Sequence, residues 1–259
     1  MIDTHCHLTF PEYQNRVPDV LAAAHAAGVT GAITISTTTS DALATTALAR
    51  QFAHLNLFAS AGVHPLYSHE PHSWPDLLAA AADPRCVAFG ELGLDRHYPT
   101  PPFDLQLKVL HEQLRVILDS RIPKPLIIHC REAFDDLLPI LGAAGISPDR
   151  FVFHCFTGTP AQARAVLDFG ALISFTGIVT FKNSADIQTA ARLVPDDRIM
   201  IETDAPFLSP EPVRKIRPNE PQYAIHTARF IAALRNQPWP DFHALINANT
   251  TRFFGIHAQ

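Results

Sequence analysis

Pro125-Leu126-Ile127-Ile128-His129-Cys130-Arg131 is a short apolar run, rich in branched side chains, that stops at a histidine. An amphipathic, Leu-rich segment precedes it over 103–120, and a second follows over 132–144 and runs out at Gly145. Short branched runs of this kind read as strands, and the longer periodic segments beside them as helices. The unit recurs along the chain. Strands are predicted over 1–4, 31–36, 57–62, 87–90, 125–128, 151–153, 171–175 and 198–203. Helices are predicted over 18–27, 41–52, 74–82, 103–120, 132–144, 160–169, 184–193, 222–234 and 239–254. Ser40 is the expected N-cap of the second helix. Pro160 and Gly170 bracket the sixth with the Pro-start, Gly-stop chemistry that helix ends favour.

Strands alternating with helices at this spacing form a parallel sheet, and eight such units close into a (β/α)8 TIM barrel. The alternative is an open doubly wound sheet, but no glycine-rich dinucleotide loop follows the first strand. A chain of 259 residues fits one such domain, spanning 1–259, and no linker, charge block or internal repeat divides it.

Hydrophobic residues at 47% and charged ones at 17% supply a substantial core and exclude a disordered chain. A formal charge of −5 argues against coating nucleic acid by bulk electrostatics, while leaving room for a local basic cluster that grips phosphate. The start, MIDTHCHLTF, lacks the basic and apolar segments of a signal peptide, and no later run is long enough to span a bilayer. Cys6, Cys86, Cys130 and Cys155 are far apart with no CxxC spacing, which disfavours a zinc knuckle or a disulfide framework. The expected setting is the cytoplasm, as a monomer without a membrane partner.

Polar residues fall where the strands end. Strand one runs into His5-Cys6-His7, strand three into Gly62-Val63-His64-Pro65, and strand four into Gly90-Glu91. Strand five ends in His129, strand six in His154, and strand eight in Glu202-Thr203-Asp204. A barrel of this type builds its active site at that face, so these segments are expected to converge. Imidazoles and carboxylates hold divalent cations. His5 and His7, two apart on a strand, project to one side and can share an ion, while Cys6 points away. Glu91 can bridge two ions, with His129 and His154 serving the second and Asp204 completing the first. An HxH pair alone is weak evidence; six ligand-type residues at successive strand ends are much harder to obtain by accident.

Further roles follow from position. Asp204 is the candidate general base acting on a metal-activated water. Glu202 shares its strand parity and is read either as a carboxylate orienting a metal-binding His or as a buried partner of a strand-end Arg or His. His64 either contacts substrate or caps its loop. Arg131 and Arg214, with Lys215 and Arg217, are candidates for phosphate; the alternative for the last three is a solvated basic loop. Cys6, Cys130 and Cys155 adjoin histidines but are expected to point away and pack as small hydrophobes. His25, His54, His111 and His226 fall on or beside helices and read as surface or packing residues.

Taken together, these stretches resemble the TatD family of metal-dependent hydrolases and deoxyribonucleases, within the wider amidohydrolase-like barrel group. The resemblance rests on Asp3-Thr4-His5-Cys6-His7-Leu8, Gly62-Val63-His64-Pro65, Gly90-Glu91-Leu92-Gly93-Leu94-Asp95 and Ile128-His129-Cys130-Arg131. It continues through Phe153-His154-Cys155-Phe156-Thr157-Gly158, Ser174-Phe175-Thr176-Gly177 and Glu202-Thr203-Asp204-Ala205-Pro206. It implies the same six ligands, two divalent ions (Zn, Mn or Mg) and a phosphodiester substrate, DNA or something smaller. Two departures stand out. A family stretch like Arg-Gly-Lys-Arg-Asn-Glu-Pro is here Arg214-Lys215-Ile216-Arg217-Pro218-Asn219-Glu220-Pro221, and a common Tyr pair is here Arg96-His97-Tyr98. Neither touches an expected ligand. Two rival readings keep the barrel: a metal-dependent amidohydrolase or lactonase, and a catalytically silent metal-binding barrel. Many amidohydrolases bridge their metals with a carbamylated lysine at the end of strand four, where this chain has Glu91.

Overall fold

A computed structural model describes residues 1–256; the last three residues of the expected 1–259 span lie outside it. Its eight strands are β1 (Ile2–Cys6), β2 (Gly31–Thr34), β3 (Leu57–Ala61), β4 (Cys86–Asp95), β5 (Leu126–Arg131), β6 (Phe151–Phe153), β7 (Leu172–Phe175) and β8 (Ile199–Ile201). They pair in parallel and in chain order. The seam between first and last is joined beyond the end of β8. Cys6 and Ala205 form a parallel bridge, His7 N–H donates to Ala205 O at 2.7 Å, and Asp204 N–H donates to His5 O at 2.9 Å. The architecture is the expected (β/α)8 barrel.

Among the described residues the helices are α1 (Val17–Ala26), α2 (Thr39–Gln51), α3 (Trp74–Ala81), α4 (Phe103–Ser120), α5 (Phe134–Ala143), α6 (Pro160–Phe169), α7 (Ala185–Leu193), α8 (Ala224–Leu234) and α9 (Trp239–Phe254). Their apolar faces and the outer face of the sheet build the larger core. A second cluster takes at least one side chain from every strand, including Ile2, Ile33, Phe58, Ala88, Ile127, Val152, Leu172 and Met200, and is completed by Phe254 and Ile256. Eight strands meet only inside the barrel, so this cluster fills the interior and leaves the polar strand ends above it. No described helix is long and apolar enough to cross a membrane.

Several boundaries differ from expectation, among them β2 and β8, which end two residues early, and three differ for identifiable reasons. β4 continues five residues past Gly90, because Gly93, Leu94 and Asp95 keep pairing with His129, Cys130 and Arg131 of β5. Gly93 admits a close approach: a Cβ on it would lie 1.8 Å from His129 O. The cap of α2 is Thr38, whose hydroxyl accepts from Asp41 N–H at 3.1 Å, and Ser40 lies inside the first turn. α5 starts at Phe134 because Glu132 takes a left-handed backbone conformation, φ +56°.

Candidate metal centre and active site

The six expected ligands meet at one mouth of the barrel. His5 ends β1 with Cys6, His7 follows it, Glu91 lies within β4, and His129 lies within β5. His154 comes just after β6. Asp204 is brought in by its own backbone bond to His5 across the seam. His7 Nε2 stands 3.4 Å from Asp204 Oδ1 and 3.7 Å from Glu91 Oε1, and His5 Nε2 is 3.6 Å from Asp204 Oδ1. On the other side of Glu91, Oε2 is 2.7 Å from His154 Nε2 and 3.6 Å from His129 Nδ1. Three groups of potential ligand atoms, each mutually within 4.8 Å, overlap here: His5, His7 and Asp204; His5, Glu91 and His154; His64, Glu91 and His129. Glu91 stands between the His5, His7 and Asp204 side and the His129 and His154 side of the cluster, the place expected of a bridging carboxylate. His154 stands nearer to His5 than its expected pairing with His129 alone suggests; the two rings stack at 3.9 Å.

The donor set fits divalent cations on its own chemistry. Both ring nitrogens of His5 and Glu91 Oε2 are buried with no hydrogen-bond partner. Buried polar atoms left in this way cost about 1–3 kcal/mol each, unless something else completes them. The opposite ring nitrogens are already committed. His7 Nδ1 is 3.1 Å from Ile35 O, and His129 Nε2 is 3.0 Å from Asp95 Oδ2, so each N–H points away and a bare nitrogen faces the cluster. Glu202 Oε1 lies 3.4 Å from His154 Nδ1 and accepts from Cys155 N–H at 2.6 Å, which supports its reading as an orienting carboxylate.

Charge follows the same plan. Burial would raise the Glu91 carboxyl, but the surrounding His64, His154, His5 and His129 outweigh it and hold it well below the usual carboxylate range. Burial also opposes a proton on His7, His129 and His154. Asp204 and Glu91 at His7, Asp95 and Glu91 at His129, and Glu91 and Glu202 at His154 overcome it and raise all three. His5 is driven well down by burial and by His154. Beneath the cluster Asp3 accepts from Thr203 N–H at 2.9 Å, Thr203 Oγ1 at 2.5 Å and His5 N–H at 3.3 Å, tying the two ends of the barrel together; burial pushes it up to about 8.

The cluster floors a cleft of about 820 Å³. His64 and Arg131 line it, and so does Tyr98, over which the Arg131 guanidinium sits at 5.2 Å. The loop-capping reading of His64 is the one seen: its Nδ1 accepts from Leu66 N–H at 3.0 Å, and its Nε2 points to His129 Nδ1 at 3.1 Å. An accepting Nδ1 leaves the proton of the neutral ring on Nε2, so His64 is a donor towards the cleft rather than a bare ligand.

Arg214 is not among the residues lining the cleft. It lies 3.9 Å from the centre of the Phe181 ring and 3.9 Å from Glu211, while Arg217 Nη1 donates to Arg214 O and Ile216 O. Asn219 Nδ2, bonded to Thr203 O at 3.1 Å, pins this loop to the barrel, and the exposed basic residues satisfy the loop itself. The cysteines are corrected in part. All four are free; Cys6 packs as expected with Sγ on Ile33 O, and Cys130 packs in the larger core while bordering the cleft, but Cys155 is half-buried and lines the cleft. Strand alternation fails for Cys155, since β6 ends at Phe153 and Cys155 has φ +44°. Neither thiol belongs to a potential ligand group. His25, His54 and His111 are exposed and His226 half-buried, as expected.

Asp95 has no role in the sequence reading. The signal for it was parity: once β4 is taken to run on to residue 95, Glu91, Gly93 and Asp95 share one face.

A parallel eight-stranded barrel whose C-terminal mouth gathers imidazoles around a shared glutamate has the build of a metal-dependent hydrolase. The match is also one of lineage. The family model for TatD related DNases fits residues 2–255, and the chain belongs to that family. It is 36% identical over 263 residues to the metal-dependent hydrolase YcfH of Escherichia coli, covering 100% of this chain and 97% of that one. It is 33% identical over 264 residues to the 3'-5' ssDNA/RNA exonuclease TatD of Salmonella typhimurium, covering 99% of each. Among solved structures, the TatD homologue YjjV of Escherichia coli superposes with a TM-score of 0.91 at 28% identity, covering 99% of this chain and 98% of that one. The protein is a TatD-type metal-dependent hydrolase.

Proposed function

We propose that the protein hydrolyses phosphodiester bonds in DNA or a smaller nucleic-acid fragment, with two divalent cations held by His5, His7, Glu91, His129, His154 and Asp204. The observation that carries this reading is the gathering of imidazoles and carboxylates on either side of Glu91, with both ring nitrogens of His5 buried and without a hydrogen-bond partner. Ions held there would supply Lewis-acid activation of water and neutralise phosphate charge. The donors suit Zn or Mn through imidazole, and Mg through the carboxylates.

The chain's own groups then divide the work. Asp204 is half-buried, and as general base it takes the proton of the attacking water. His64 Nε2 donates, and Arg131 supplies charge-assisted hydrogen bonds, to the non-bridging phosphate oxygens. Asp95 and Glu202 hold His129 and His154 in register. The activity named for the Salmonella typhimurium relative supports a nucleic-acid substrate. Every proposed ligand comes from one chain, so a monomer suffices, and four free thiols suit the reducing cytoplasm. No lysine lines the cleft, which disfavours a carbamylated-lysine amidohydrolase.

The test is metal-stripped protein reloaded with Zn, Mn or Mg and assayed on end-labelled DNA, RNA and bis-p-nitrophenyl phosphate beside lactone and amide panels. Turnover of phosphodiesters is expected. Activity confined to lactones or amides, or tight stoichiometric metal with no turnover at all, would overturn the reading.

A further inference from the structure

Three aromatic rings are exposed among the described residues, Tyr67, Tyr98 and Phe207 at 36%, 46% and 49%, and all three line the one cleft above the metal-ligand cluster. Elsewhere the large aromatic side chains are buried or half-buried. Leaving a ring open to water forfeits the free energy of burying it, so three in one cleft mark a surface that meets something flat and apolar.

They stand on two arcs of the mouth. Tyr67 follows β3 and Tyr98 follows β4, whereas Phe207 follows β8, against the seam with β1. Phe207 is set by the same turn that sets Asp204, since its N–H donates to Asp204 O at 2.9 Å. Its ring meets Phe10 edge to face at 6.2 Å, and Phe10 in turn stacks on His7 at 4.7 Å. An unbroken aromatic path thus runs from the ligand His7 to the open ring of Phe207. Across the cleft, Tyr98 sits beneath the Arg131 guanidinium.

The charge of the cleft favours bases over backbone. Arg131 is the one lysine or arginine among the lining residues, and the carboxylates there apart from the proposed metal ligands are Asp95 and Glu132. Tracking a duplex takes a series of cationic contacts to phosphate, whereas a strand with exposed bases can be held by their faces. We propose that Phe207 and Tyr98 are base-stacking platforms that seat the nucleobases flanking the scissile phosphate, so that cleavage depends on a base being present there. This rests on the phosphodiesterase reading and adds its specificity determinants.

The test compares metal-loaded wild type, Phe207→Ala, Phe207→Trp and Tyr98→Ala on two single-stranded oligonucleotides, one with normal bases and one abasic at the terminal positions. Wild type is expected to favour the base-bearing strand by about tenfold in kcat/KM, mostly through KM, the size expected from one stacked base. Phe207→Ala and Tyr98→Ala should each narrow that ratio severalfold, and Phe207→Trp should restore it. The same order should appear in the quenching of a terminal 2-aminopurine on binding. A wild type that cleaves both strands equally, or a ratio untouched by either alanine, would overturn the platforms and leave the nuclease reading standing. A wild type that cleaves no phosphodiester would overturn both.

Discussion

His129 is held between two carboxylates of one strand: its Nε2 lies 3.0 Å from Asp95 Oδ2 and its Nδ1 3.6 Å from Glu91 Oε2. The four-residue spacing in β4 gives the two acids the same face, and the close approach at Gly93 brings β5 alongside. The hydrogen bond to Asp95 fixes which nitrogen carries the proton, and so which one can coordinate.

Asp95→Asn keeps the shape of that contact and removes its charge. The imidazole becomes less basic and less firmly oriented, and metal affinity at one of the two sites should fall by about 10–100-fold. Titration calorimetry on metal-stripped protein reads this directly. Unchanged affinity at both sites would show that the contact has no bearing on coordination.

Asp204→Asn retains a neutral oxygen that can still coordinate but cannot take up a proton. Turnover should drop by about 10²–10⁴-fold with metal content preserved. Near-normal kcat in metal-replete enzyme would reassign the base.

Metal uptake should release protons. In the metal-free protein the neighbouring carboxylates raise His7, His129 and His154, so each retains its proton to higher pH than a free imidazole does. A cation must displace those protons, so affinity is greatest above the raised values and weakens as pH falls through them. Calorimetry in buffers of different ionisation enthalpy counts the protons. The same apparent affinity at about pH 6 and about pH 8 would contradict the assignment.

Gly93→Ala should not be tolerated. The backbone there has φ +154°, and the added carbon would lie 1.8 Å from His129 O, so β4 and β5 must part at the site itself. A loss of about 3 kcal/mol or more is expected, together with weakened metal binding. A wild-type urea midpoint would show that the strands accommodate the change.

The barrel is readable from local chemistry because each βα unit repeats the same switch of period, from short branched runs to longer amphipathic ones. The candidate ligands are readable because a parallel barrel brings all its strand ends to one face, so His5, Glu91, His129, His154 and Asp204 needed only to be placed at or just past strand ends. Failures lie where backbone conformation departs from regular alternation. Cys155 turns into the cleft through a left-handed φ, and Asp95 was missed because the expected strand stops at Gly90, five residues short of where β4 ends.

The order of strands and helices, the closure they imply and the six candidate ligand side chains that meet at its mouth are determined by the sequence alone, since periodicity and residue chemistry are local properties. Only the tertiary structure decided which ring nitrogen of each histidine faces the cluster, that Arg214 lies over Phe181 and outside the cleft, and that three open aromatic rings share one cleft. Those relations depend on distances between segments far apart in the chain, and such distances are set by how strands and loops pack rather than by any residue's neighbours in sequence.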